Sequence, residues 1–125
     1  MRGIFDAAAI PSLVTTGKVV LVDVTADWCI TCKVNEALVL DTPEVAALTE
    51  SGGVVAMRAD WTRRNEAIGT YLMSFGRYGI PFNAVYGPGA PTGIALPELL
   101  TRDALMNAIE RARESPPAVG IGEKP

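Results

Sequence analysis

The chain has 125 residues, 49% of them hydrophobic, and a formal net charge of −3. That length makes one domain with a core of its own, and the scattered Lys and Arg, with Arg63-Arg64 the only doublet, offer no surface for nucleic acid or a basic membrane patch. There is no histidine, which excludes a Ser-His or Cys-His catalytic pair and any His-bearing metal site; two cysteines cannot close a zinc site within one chain, and no apolar run is long enough to cross a bilayer.

Residues 3–5 read as a short edge strand. Asp6 is placed to cap a helix over 7–16 that ends at Gly17. Pro11 falls inside it, so either the first turn is irregular or the regular helix begins at Pro11. The run VVLVDV over 19–24 marks a strand over 18–25 buried on both faces, interrupted only by Asp23. A helix is expected over 29–40, broken at Asp41-Thr42-Pro43, and a further helix from Pro43 to about residue 50. Ser51-Gly52-Gly53 turns the chain into a second buried strand over 54–60, parallel to the first if the intervening helices cross over. A helix over 65–75 follows, ended by Gly76, and then Tyr78-Gly79-Ile80-Pro81 leads into a strand over 82–86. Gly87-Pro88-Gly89 turns to a short strand over 93–96, which Pro97 places at an edge. Thr101 caps a last helix to about residue 113, with Leu105, Met106, Ile109 and Ala112 as its buried stripe. The Pro- and Gly-containing stretch 115–125 is expected to be a flexible tail, leaving 1–114 as the folded domain.

The chemistry gathers at the junction of the 18–25 strand with the next helix. Asp27-Trp28 is followed by Cys29-Ile30-Thr31-Cys32. A helix N-terminus presents unpaired N–H groups and positive dipole charge, which favour a thiolate, the reactive form of cysteine. The spacing puts both sulfurs on one helical face, where they can close a small disulfide ring. Cys29 is expected to be the exposed nucleophile and Cys32, one turn in, the shielded resolving thiol. The plainer alternative, a structural disulfide, would close so small a loop that it constrains the unfolded chain little. An isolated carboxylate in an apolar strand is costly and tends to take up a proton. Asp23 is therefore either turned to solvent or hydrogen-bonded at the strand end, or a buried group with a raised pKa beneath the disulfide that accepts and returns the Cys32 proton. Glu36, four residues after Cys32, shares its face, and is otherwise a solvated helix residue. Trp28 is packing, a shield for the thiolate or partner surface.

WCITC behind a buried strand, with Asp23 six residues before the first cysteine, resembles the thioredoxin superfamily. The wider string VDVTADWCITCKVNE, with RADWTRRNEAI, FGRYGIPFNAVYGPGAP and LPELLT, resembles the C-terminal periplasmic domain of the DsbD-type transmembrane thiol-disulfide reductases, closest to the ScsB (suppressor of copper sensitivity) branch. The resemblance implies an α/β thioredoxin fold: a central mixed sheet flanked by helices, in the order βαβαβαββα, with the CxxC opening the second helix. It implies that Glu36 acts with Asp23 near the cysteines, and that Ile80-Pro81 is a cis-proline loop lying against the CxxC, with Ile80 backbone available to a substrate strand. It also implies an enzyme, a protein-disulfide reductase with no cofactor beyond the Cys29–Cys32 disulfide and no metal. The domain would be a monomer excised from an inner-membrane protein, working in the periplasm, with membrane segments and export signal upstream. Its partners would be the transmembrane and N-terminal periplasmic domains of the parent and periplasmic thiol-disulfide proteins. In that relay the C-terminal domain takes electrons from the membrane domain and hands them to the N-terminal domain. The absence of a His between the cysteines points modestly to a reductant. The alternative of another class is a copper(I)-binding module using both thiolates.

Overall fold

The computed structural model describes residues 3–114; the tail expected over 115–125 lies outside the described residues. Five strands form one mixed sheet in the order β1-β3-β2-β4-β5. β2 (Val19–Thr25) is the central strand, every residue of it buried. It runs parallel to β3 (Val54–Asp60) and antiparallel to β4 (Phe82–Gly87). β1 (Gly3–Ile4) pairs in parallel with β3 at one edge, and β5 (Ala90–Ala95) pairs antiparallel with β4 at the other. β5 begins three residues earlier than the Gly93 start expected, and takes in Pro91. An edge strand tolerates a residue that cannot donate to a ladder.

Alternation along β2 divides the core in two. Val20, Val22 and Val24 face a layer made by α1 (Ile10–Thr15) and α4 (Glu66–Met73), where Ile10, Val14, Ile68, Leu72 and Phe82 pack. Val19 and Leu21 face Val45 of α3 (Pro43–Glu50) and Leu105, Ala108 and Ile109 of α5 (Arg102–Arg113). Burying each such aliphatic side chain contributes about 1.5–3 kcal/mol against the conformational entropy of folding. Arg102 ties the start of α5 to α3, donating to both carboxylate oxygens of Glu44 at 2.7 and 2.8 Å.

The irregular first turn expected near Pro11 is a single 3-10 turn, Ala7–Ala9, capped by Asp6. The helix expected over 29–40 is regular only in α2 (Ile30–Asn35). It then widens through Glu36–Leu40, where the Asp41 N–H donates to the Glu36 carbonyl at 2.7 Å. All five residues of that turn are unremarkable in a regular helix, so composition carries no sign of the widening. α2 lies just beyond the C-terminal end of β2, and the site is built there, as is general for open α/β sheets.

Candidate active site

Leaving β2, the chain turns at once: the Cys29 N–H donates to the Ala26 carbonyl at 3.2 Å. Cys29 is then the N-cap of α2, in extended conformation, and its Sγ accepts from the Cys32 N–H at 3.2 Å. The sulfur thus replaces the usual hydroxyl or carboxylate cap at the positive end of the helix. Cys29 and Cys32 are disulfide-bonded. Cys32 Sγ lies 4.0 Å from the Val24 carbonyl oxygen, against the end of β2.

Cys32 is the deeper of the two, as expected, at 1% exposure, but Cys29 is not the exposed group expected: only 6% of it is accessible. The reason is its cap role, which turns Sγ back over the first turn of its own helix, and the packing of Ala26 and half-buried Ile80 around the pair. The Ile80-Pro81 peptide bond is cis, and Ile80 packs against the cysteine pair, both as the family resemblance implied.

Near the C-terminal end of β2 lies a row of polar side chains on the α3/α5 face of the sheet. Asp23 is buried, at 2% exposure. The strand register sets Arg58 of β3 on one side of it and Asn83 of β4 on the other. Asn83 Nδ2 donates to Asp23 Oδ1 at 2.9 Å. One step further along the same face, the Thr25 hydroxyl donates to Glu36 Oε2 at 2.7 Å. Glu36 is 7% exposed, so it is not a solvated helix residue. Both carboxyl groups singled out from the sequence therefore stand inside the molecule near the end of β2, each held by a neutral donor. Thr25 and Asn83 were not singled out. The signal for Asn83 was present, since a lone amide stands in the apolar run FNAVY.

Asn35 does related work from α2. Its side chain donates to the Glu98 carbonyl at 2.7 Å and accepts from the Leu100 N–H at 3.0 Å, fixing the loop before α5 against the active-site helix. Trp28 is 60% exposed, with its indole N–H donating to the Thr62 carbonyl at 3.1 Å. The Thr62 hydroxyl in turn accepts from the Asp27 N–H and donates to Asp60. The Thr62 hydroxyl, and after it the Thr62 N–H, both donating to Asp60, hold its carboxyl below the usual value. Ile30 and Tyr78 are also exposed. No group of three or more His, Cys, Asp or Glu among the described residues is arranged to hold a metal ion, and no described helix is long and apolar enough to cross a membrane.

A family model described as thioredoxin-like matches residues 5–88. The chain is 38% identical over 82 residues to thiol:disulfide interchange protein DsbD 1 of Pseudomonas aeruginosa; the match covers 66% of this chain and 14% of that protein, so the chain spans a small part of its relative. Among solved structures, the C-terminal domain of DsbD from Neisseria meningitidis superposes in its oxidised form with a TM-score of 0.67 at 24% identity, over 90% of this chain and 100% of that one. In its reduced form the TM-score is 0.64 at 26% identity, over 85% and 92%. A thioredoxin variant from Halobacterium salinarum follows at 0.61 and 25%, over 93% of both chains. With that family model spanning most of the chain and a Cys29–Cys32 disulfide at the start of α2, the chain belongs to the thioredoxin-like family as a thiol-disulfide oxidoreductase domain related to DsbD, with Cys29 and Cys32 as its redox pair.

Proposed function

We propose that the domain is a reductant in a relay, taking electrons from a membrane-embedded domain of its parent and passing them to periplasmic thioredoxin-like partners. The observation that carries this reading is a helix-capping disulfide at the end of β2, where two carboxyl groups, Asp23 and Glu36, are also buried. In the reduced domain the Cys29 thiolate attacks the partner's disulfide; that bond breaks, a mixed disulfide forms and one partner thiolate leaves. Cys32 gives its proton to the Asp23 carboxylate and attacks Cys29 Sγ. The Cys29–Cys32 disulfide forms, the second partner thiolate departs, and two electrons have passed to the partner. Glu36 acts with Asp23: two carboxylates near a thiol disfavour its thiolate and restrain indiscriminate attack. Trp28 and Ile80 supply partner surface around Cys29; Pro81, expected to share that role, is itself buried. Kinship with DsbD supports the periplasmic setting, the parent domains as partners and the direction of transfer.

The test is a non-reducing gel of single-cysteine variants mixed with an oxidised partner domain. Cys32→Ala should accumulate a mixed disulfide, because it attacks and cannot release. Cys29→Ala should trap nothing, because Cys32 lies against β2. The reverse pattern would exchange the two roles. If neither variant traps while both stay folded, and the reduced domain binds copper(I) tightly at one to one, the copper-binding reading replaces this one.

A further inference from the structure

Asn83 is an odd residue for its place. It is fully buried in the middle of the sheet, at the register position directly across from Asp23. Its Oδ1 has no hydrogen-bond partner among the described residues, and its second Nδ2 contact, to the Val22 carbonyl, is long at 3.5 Å. A buried amide satisfied on one end only weakens a fold relative to an aliphatic side chain of the same size. Its one short side-chain bond goes to Asp23 Oδ1.

We infer that Asn83 is a positioning residue for the exchange reaction: it acts through Asp23, fixing that carboxyl near the end of β2, from which α2 and its cysteine pair follow, and favouring its ionised form. The inference rests on the reading of Asp23 as the acceptor of the Cys32 proton. An N–H donor to a carboxylate stabilises the charged state, the state that can accept a proton. Without the donor the carboxyl keeps its proton to higher pH, and the step in which Cys32 attacks fails earlier as pH falls. Charged groups at this face among the described residues include Arg58 on β3 beside Asp23, Asp60 at the register position of Thr25, and Glu36 on the turn after α2. From α3 and α5 the face receives the apolar Val45, Leu105, Ala108 and Ile109. None of these changes when Asn83 alone is replaced.

Threonine and valine have the same shape, and only threonine keeps a donor able to reach across a strand pair. The reduced full chain of each variant is mixed with an aromatic disulfide whose thiolate is coloured. The first aryl thiolate appears when Cys29 attacks and the second when Cys32 displaces it, so the two steps are read separately against pH. For Asn83→Val the acid limb of the second step should lie higher than for Asn83→Thr by about one pH unit, the shift expected of one hydrogen bond to a charged group. The first step should be the same in both. In an Asp23→Asn background the Thr/Val difference should vanish. If Asp23→Asn moves the second step while Asn83→Val and Asn83→Thr share one profile, Asn83 has only a structural role. If Asp23→Asn itself leaves the second step unchanged, the reading of Asp23 fails and the role of Asn83 falls with it. Should Asn83→Val not fold, Asn83→Ala is compared with Asn83→Ser in its place.

Discussion

Thr25 and Glu36 form a hydrogen bond where water has little access, and the two partners are not equivalent. The hydroxyl can be replaced by a methyl of the same size; the carboxyl cannot lose this donor at small cost. Removing one hydrogen bond to a buried acceptor costs about 1–3 kcal/mol, more when the acceptor is charged. Thr25→Val should therefore lower the free energy of unfolding by an amount in or above that range, measured by urea denaturation. Thr25→Ser, which keeps the hydroxyl, should recover most of it. The loss should be much smaller when Thr25→Val is made in a Glu36→Leu background, because both ends of the bond are then gone. A full-sized loss in that background would mean that Thr25 stabilises β2 by something other than Glu36.

At the scale of elements, β4 and α5 meet with almost no space between their backbones. A Cβ on Gly87 would stand 2.2 Å from the Ala112 carbonyl oxygen, whereas one on Gly79 meets nothing within 4 Å. Overpacking of this kind typically costs about 1–3 kcal/mol, and more when rigid backbone must move. Gly87→Ala should lower the thermal midpoint by several degrees, and Gly79→Ala should leave it near the wild-type value. Equal midpoints for the two variants would show that α5 can slide away from the sheet at little expense. The same close contact explains why the last helix can cover Leu21 and Val85 so completely.

Over the whole molecule, a set of aromatic rings joins the N-terminal segment, α4 and β4 on the side of the sheet away from the polar row. Tyr71 sits edge-on to Phe5 at 4.9 Å and to Phe75 at 5.5 Å, and Phe75 lies 4.9 Å from Phe82. The Tyr71 and Tyr86 hydroxyls share a hydrogen bond of 2.7 Å. Burial pushes the pKa of both phenols up. Each folded-state value then exceeds the unfolded value of about 10, so their contribution is complete below pH about 10 and is lost as pH rises further. The urea midpoint should fall above that pH, and Tyr71→Phe should fall less steeply, since one fewer buried phenol must stay protonated. An unchanged alkaline slope in Tyr71→Phe would remove this tyrosine from the linkage.

The elements of this protein were legible because their signals are local. The β-branched run of β2, Asp6, Thr101, the break at Pro43 and the cysteine spacing each act over a few residues, through backbone sterics and nearby hydrogen bonds. CxxC after a buried strand disclosed the reaction in the same way, since a thiol at a helix N-terminus is activated by groups adjacent in the chain. What surrounds those thiols was decided by tertiary structure. Cys29 is covered by Ile80, from a distant loop. Asp23 meets Asn83 across 60 residues of sequence, and Thr25 meets Glu36 only because the widened turn after α2 packs back over β2. Strand order and register choose such partners. They are set by the burial of both faces of β2 at once, a property of the assembled sheet that no stretch of chain carries by itself.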